Sequence, residues 1–337
     1  MEVLRVCETI SEKLRHQENI TAYVHSVFKN ACNLETTGEE LITLIGVEKQ
    51  MAPSSIMIDF GVKTDFIGLN ISSGMKFLIS ETSIYSIEAD IFINMKDYIK
   101  WSPKPNFTII PLRKALITDN LRIIEAGIRD YGRNHGIHPI ISRLSKSVPE
   151  LELNIYSVYE EDASIQFITP RLINFINLIM EDKLEAVSNG AKKIIGFGPG
   201  LTPAMDDFIC GIMAALIYVY NFYSSDINYA YKLNSLIIKG SLLITTRISS
   251  VMLKYASIGY LHEATRNLLI AILSNKSKEA VLNNLMQAID FGDTSGTDTV
   301  IGIYTGLKLA NYKLEKDMKR RSILNETQRR SEKKYLL

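Results

Sequence analysis

The feature that most constrains this chain is a glycine-rich block that returns, in weaker form, further along. The first copy runs Gly196-Phe-Gly-Pro-Gly-Leu-Thr-Pro-Ala-Met-Asp-Asp-Phe-Ile-Cys-Gly211. The second is Gly292-Asp-Thr-Ser-Gly-Thr-Asp298, followed by Thr-Val-Ile-Gly302. Each reads as a glycine loop, a threonine, one or two aspartates, and then an apolar helix with a glycine in it. Thr202 to Asp206 is spaced like Thr294 to Asp298, and Asp207 to Gly211 like Asp298 to Gly302. No gap-free register satisfies both spacings, so the two blocks form a pseudo-repeat rather than a duplication.

The local chemistry of one copy is specific. Thr202 suits an N-cap, and Pro203 suits the first helical position, where a missing N–H costs nothing. Gly198 and Gly200 let the backbone turn with positive φ and bring N–H groups close to a ligand. A helix start of this kind attracts phosphates and carboxylates. Asp206 and Asp207 in the first turns could satisfy the helix dipole unaided, so a capped helix with no ligand stands beside the anion-site reading. Two such starts in one chain favour the ligand.

Small residues recur behind both loops: Gly211 and Ala215 after the first, Gly302 and Gly306 after the second. Four apart on a helix, they form a smooth face on which another backbone can rest. Two helices crossing there would open both N-termini on one shared pocket. Further hydroxyls lie in Thr245-Thr246-Arg-Ile-Ser-Ser250, where Thr245 with Ser249, and Thr246 with Ser250, share helix faces. Such hydroxyls can back-bond to their own carbonyls. Arg247 is a candidate clamp for a carboxylate or phosphate.

Composition narrows the class. The chain has 337 residues, 46% of them apolar, and a formal net charge of +1. That length allows two domains, and the charge gives no reason to expect nucleic acid or an anionic membrane as partner. The longest uncharged apolar run, Phe208 to Tyr220, is shorter than the ~20 residues of a membrane span, and a buried helix accounts for it. The first residues carry acids among apolar positions and no signal-peptide core, so the reading is a cytoplasmic protein. Cys7, Cys32 and Cys210 fit neither a disulfide framework nor a CxxC site. The five histidines show no metal-binding spacing, although Asp206 and Asp207 are candidate Mg²⁺ ligands.

The chain reads as α+β. Short β-rich runs at Thr21–Phe28, Glu40–Gly46, Ser55–Phe60, Phe66–Ile71, Lys76–Ile79 and Ile84–Ile87 predict an antiparallel β barrel or sandwich over residues 1–112. The character changes near Pro111. A mainly helical domain carrying both glycine loops follows over 113–314, and a charged tail over 315–337. Within the helical part, Thr118 is read as the cap of a helix closed by Gly136. Residues from His138-Pro139 to about Asp162 are read as irregular, with one strand at Leu153–Tyr159. Thr169-Pro170 repeats the cap-plus-proline start.

Taken together, Gly-x-Gly-x-Gly-Leu-Thr-Pro-x-x-Asp-Asp at 196–207, Thr246-x-x-Ser249 and Gly292-x-Thr-Ser-Gly-x-Asp298 resemble one family. It is the AllH-type subunit of oxamate carbamoyltransferase. His25-Ser26-x-Phe28 and Asn33 extend the resemblance into the N-terminal half. The resemblance implies a subunit that works with two others, in anaerobic allantoin and purine degradation. The reaction it implies moves a carbamoyl group between oxamate or oxalurate and phosphate, so that carbamoyl phosphate is a substrate or product. The implied site holds Gly198, Gly200, Thr202, Asp206, Asp207, Ser295, Gly296 and Asp298. Thr246, Ser249, Thr294 and Arg247 join it from the motifs above, and Gly200 is expected at a close backbone approach. Two departures fall inside that site. The family has Ser-Gly where this chain has Ala204-Met205, and an aromatic residue where it has Thr297. The rival reading is a non-catalytic scaffold subunit that binds an anionic metabolite.

Overall fold

The computed structural model describes residues 1–16, 19–61, 64–105, 114–148, 151, 163–223, 226–274 and 276–334. The chain divides into two compact units. One comprises residues 1–106 with 260–267, the other 107–259 with 268–337. The change of character expected near Pro111 and the strand expected at Leu153–Tyr159 fall outside the described residues.

The first unit is a β barrel. Its strands are β1 (Glu2–Cys7), β2 (Ile20–Phe28), β3 (Ala31–Thr36), β4 (Leu41–Gly46), β5 (Ser55–Asp59), β6 (Lys76–Ile79), β7 (Ser83–Ser86), β8 (Ile91–Asn94) and β9 (Ile99–Trp101). They run β5-β4-β3-β2-β6-β7-β8-β1-β9, and β1 also pairs with β5. That extra pairing closes eight strands into a ring and leaves β9 as an addition on β1. Closure removes the exposed edges that invite aggregation. Six of the ring pairings are antiparallel; β4–β5 and β1–β8 run parallel.

Helix α1 (Glu8–His16) buries Ile10, Ser11 and Leu14 at helical spacing. Ile10 and Leu14 join Val6, Leu34, Leu44, Ile56, Ile58 and Phe77 in the barrel's apolar core. The short β1, β3, β8 and β9 were not anticipated from sequence. The run Phe66–Ile71, expected as a strand, is a turn segment. Phe66 and Ile71 at its ends are buried, Phe66 edge-on to Phe60, while Ile67 is exposed, and the segment between them turns on Gly68 N–H to Asp65 Oδ1 and Asn70 N–H to the Ile67 carbonyl.

The second unit is helical. It contains α2 (Lys114–Tyr131), α3 (His138–Ser147), α4 (Ala163–Met180), α5 (Leu184–Ala191), α6 (Ala204–Phe222), α7 (Ile227–Ile238), α8 (Arg247–Ala256), α10 (Lys278–Ile289) and α11 (Ser295–Lys334). The intervening α9 (Glu263–Leu273) begins in the first unit's segment.

Two expected helix starts are displaced, and one helix begins where an irregular stretch was expected. Thr118 lies inside α2, which ends at Tyr131, well before Gly136. His138-Pro139 opens α3 rather than an irregular stretch, because proline is tolerated in a first turn. Pro170 sits inside α4, and Thr169 bonds back to the Ile165 carbonyl at 2.7 Å. The buried stripe Ile168, Leu172, Phe175, Ile176 and Ile179 runs straight past that proline, and its burial outweighs the lost backbone hydrogen bond.

Helix α6 is long and apolar enough to cross a bilayer, yet every residue from Ala204 to Tyr220 is buried. It is the core helix of this unit, and α11 is its principal neighbour. The two meet backbone to backbone. A Cβ on Gly211 would fall 2.6 Å from the Ile303 amide nitrogen, and one on Gly306 would fall 2.9 Å from the Ile212 carbonyl oxygen. A Cβ on Gly302 would overlap the Phe208 carbonyl outright. Small residues at these positions are therefore a steric requirement, and the close crossing sets both helix N-termini side by side.

Candidate functional site

The first glycine loop is folded by its own backbone. Gly196, Gly198 and Gly200 all have positive φ, at 82°, 121° and 91°. A Cβ on Gly198 would sit 2.7 Å from the Ala204 nitrogen, whereas one on Gly200 would meet nothing within 4 Å. No protein atom approaches Gly200 closely, and its φ calls for glycine there. Helix α6 starts one residue later than expected. Its N-cap is Pro203, and the Thr202 side chain does not cap it. The Met205 N–H goes to the Phe197 carbonyl, and those of Asp206 and Asp207 go to Pro203. At α11, the N–H groups of Gly296 and Asp298 likewise go to Phe291 and Thr294. These five amides are engaged within the protein.

The side chains converge instead. Thr202 Oγ1 and Ser295 Oγ are 2.8 Å apart, so the two glycine loops touch through their hydroxyls. Both hydroxyls lie beside the Asp207 carboxyl and favour its charged form. Asp207 is 1% exposed, and burial pushes its carboxyl well above the usual range, against the pull of those hydroxyls. The carboxyls of Asp298 and Asp206 add to that upward push.

Asp298 is held from a third direction. The Ile137 N–H donates to its Oδ1 at 2.7 Å, and the Thr294 hydroxyl beside it favours the charged form. The loop after α2 must pass very close for this: a Cβ on Gly136 would lie 2.5 Å from Asp298 Oδ1. Arg133 N–H reaches the neighbouring Thr297 hydroxyl at 3.0 Å. Asp298 is 0% exposed, and burial raises its carboxyl to about 7. One oxygen of each carboxyl, Asp207 Oδ2 and Asp298 Oδ2, is buried without a hydrogen-bond partner.

Asp206 has a different part. Its Oδ1 accepts from the Gly196 N–H at 2.7 Å; its Oδ2 accepts from Ser249 Oγ at 2.6 Å and from the Thr245 hydroxyl. It therefore clasps the glycine loop to the start of α8. Thr246 is the N-cap of that helix, accepting from the Ser249 N–H at 3.1 Å while donating to the Leu201 carbonyl. Thr245 lies outside the helix, so Thr245, Thr246 and Ser249 make contacts across the loops, while Ser250 Oγ bonds back to the Arg247 carbonyl at 2.8 Å as expected of such hydroxyls. Arg247 occupies the first helical position of α8, half-buried. Gly296 packs against the carbonyls of Ala288 and Ile289, a structural place at the end of α10.

Mg²⁺ does not suit this donor set. Both Asp206 oxygens are occupied by donors of the protein, and Asp207 is enclosed too tightly for the waters Mg²⁺ retains. Among the described residues no group of three or more His, Cys, Asp or Glu is placed to hold a metal ion. What the arrangement offers is a pair of hydroxyls, two carboxyls with spare oxygens, and protons exchangeable near neutral pH. Gly136, Ile137 and Thr245 entered this site unannounced. Gly136 was legible only as a loop glycine, and Thr245 only as one hydroxyl of a helix pattern.

Two family models match the chain. That of oxamate carbamoyltransferase subunit AllH matches residues 194–307, and that of the AllH family N-terminal domain matches residues 2–100. No solved structure matches it. The chain belongs to the AllH family.

Proposed function

We propose that this AllH-family chain supplies the carbamoyl-handling pocket of an oxamate carbamoyltransferase. The reaction moves a carbamoyl group between oxamate or oxalurate, or a related amide acceptor, and phosphate. In the direction of phosphorolysis, a phosphate oxygen attacks the carbamoyl carbon of oxalurate. A C–O bond forms, the C–N bond to oxamate breaks, and the departing nitrogen takes a proton. The products are carbamoyl phosphate and oxamate. The proposed setting is anaerobic allantoin and purine breakdown in the cytoplasm, with two other subunits as partners.

One observation carries this reading: Asp207 and Asp298, each with a buried oxygen to spare, flank the hydroxyls that join the two glycine loops. A carbamoyl group presents N–H donors and a carbonyl acceptor. A carboxylate oxygen accepts from the first, and a protonated carboxyl or hydroxyl donates to the second. Donors fixed in advance at the carbonyl oxygen stabilise the charge that develops there during attack. Asp298, exchanging its proton at about 7, can pass one to the departing nitrogen near neutral pH. No nucleophilic side chain is required, since phosphate is the nucleophile.

The test is calorimetric titration of the chain, alone and with its partner subunits, against oxamate, oxalurate, phosphate and carbamoyl phosphate. Heat with the carbamoyl compounds that disappears in Ser295→Ala supports the reading. No heat in either setting leaves the loops as structural devices of a scaffold subunit.

A further inference from the structure

The loop that carries Thr202 also forms the rim of an exposed patch that nothing in the helical unit covers. Leu201 is 43% exposed, and the segment before α8 adds Leu243 at 93% and Ile244 at 49%. The two segments are fastened together at this place. The Thr246 hydroxyl donates to the Leu201 carbonyl, and a Cβ on Gly196 would lie 2.6 Å from the Ile244 carbonyl oxygen. Three large aliphatic side chains on two joined loops form a contiguous apolar surface of the kind that marks interaction sites.

The two segments that carry that patch bear charge of one sign. Residues 186–205 and 227–262 contain no Asp or Glu, although the whole chain balances 38 basic against 37 acidic residues. Lys192, Lys193 and Lys239 are exposed on these segments, and Arg247 is half-buried beside them. The Lys192 ammonium lies over Gly240, just ahead of the apolar patch. On the far side, Lys193 shares a cavity of about 370 Å³ with Pro170, Arg171 and Asn174 of α4. A stack ties that cavity to the glycine loop: Arg171 lies 3.6 Å over the Phe167 ring, and Phe167 stacks on Phe197. Arg171 also donates to the Phe167 carbonyl, which fixes the guanidinium at the cavity wall.

We infer that this basic-rimmed apolar patch is the docking surface for a partner subunit, which presents an apolar side chain flanked by carboxylates. The apolar side chain covers Leu201, Leu243 and Ile244. A carboxylate enters the cavity between Arg171 and Lys193. The inference rests on the subunit reading above and adds to it the place of assembly. Leu201 directly precedes Thr202, so a partner seated here borders the Thr202–Ser295 contact. Apolar anchors ringed by complementary charge are the usual anatomy of a specific interface.

The experiment purifies the chain with the two other oxamate carbamoyltransferase subunits and follows assembly by analytical ultracentrifugation. The variants are Leu243→Asp, and separately Lys192→Glu with Lys193→Glu. Leu243 is so exposed that its replacement leaves folding intact, which a thermal melt of the lone chain checks. The docking surface predicts that Leu243→Asp weakens assembly about tenfold or more, as loss of an interface anchor does. It also predicts that the charge reversals weaken assembly, and that rising salt weakens the wild type in the same direction. Wild-type assembly with both variants assembling equally well overturns the docking surface alone. Failure of the wild type to assemble overturns the subunit reading together with it. Self-association of the lone chain that Leu243→Asp abolishes would assign the patch to a second copy and overturn the partner proposed here.

Discussion

Thr202 and Ser295 stand 93 positions apart in the chain and share a hydroxyl hydrogen bond of 2.8 Å. That contact exists because α6 and α11 cross on glycines, and the crossing is what brings two ordinary-looking loops to one place. Everything proposed for the site depends on this junction, so its steric basis is the first thing to test.

Gly302→Ala adds a methyl that overlaps the Phe208 carbonyl, and neither backbone can retreat without parting the helices. The expected cost is about 3 kcal/mol or more, the upper end for overpacking a core. Gly200→Ala meets no neighbour and pays only for its φ of 91°, about 1–2 kcal/mol. Urea denaturation of both variants measures the difference. Equal losses would remove the steric account of the crossing.

Asp206→Ala should act on stability rather than on chemistry. It leaves the Gly196 N–H and the Thr245 and Ser249 hydroxyls without their shared acceptor. The expected loss is about 2–4 kcal/mol, given that hydrogen bonds to charged groups are each worth about 1.5–3 kcal/mol. Turnover per folded molecule in the assembled enzyme should change far less than it does for Asp207 variants. Chemical denaturation and active-site-normalised rates separate the two.

The stability that Asp298 and Asp207 contribute should fall as pH rises from about 4 to about 7. The sign follows from the direction of the shift. In the fold, burial raises Asp298 to about 7 and Asp207 well above its ordinary value, so across this window these two carboxyls bind more protons in the native state than in the unfolded chain, while buried His262, lowered to about 4, acts in the opposite direction. The stabilisation is fully present below the unfolded value and is lost as pH passes the folded one. Asp298→Asn, an uncharged isostere, should flatten the slope of melting temperature against pH. An unchanged slope would place the titration elsewhere.

The α+β division was legible because a run of short β-rich segments gives way to long apolar periods. The shared pocket was legible because Gly211, Gly302 and Gly306 interrupt helices that otherwise have no use for glycine. Helix boundaries were less legible. Thr118 and Thr169-Pro170 carry the local chemistry of a cap, yet both lie inside helices whose buried faces extend past them. The roles of the two adjacent aspartates could not be told apart in the sequence. Asp206 turns toward Gly196 and α8, Asp207 toward Ser295 and Thr202, and only the packing of α6 decides which. Gly136 and Ile137 reach Asp298 across 161 positions for Ile137, a distance at which no local pattern reports.

The most direct test of the central claim is the phosphorolysis of oxalurate by the chain with its two partner subunits, comparing wild type with Asp207→Asn and Ser295→Ala. Each variant is first shown by thermal melting to be folded and by ultracentrifugation to assemble. The account predicts activity only in the mixture, with kcat reduced about a hundredfold or more in both variants, the scale of losing a proton donor or a positioned hydrogen-bond donor in a water-excluded site. Full activity in both folded, assembled variants would contradict it, and would return the junction of the two glycine loops to a purely structural role.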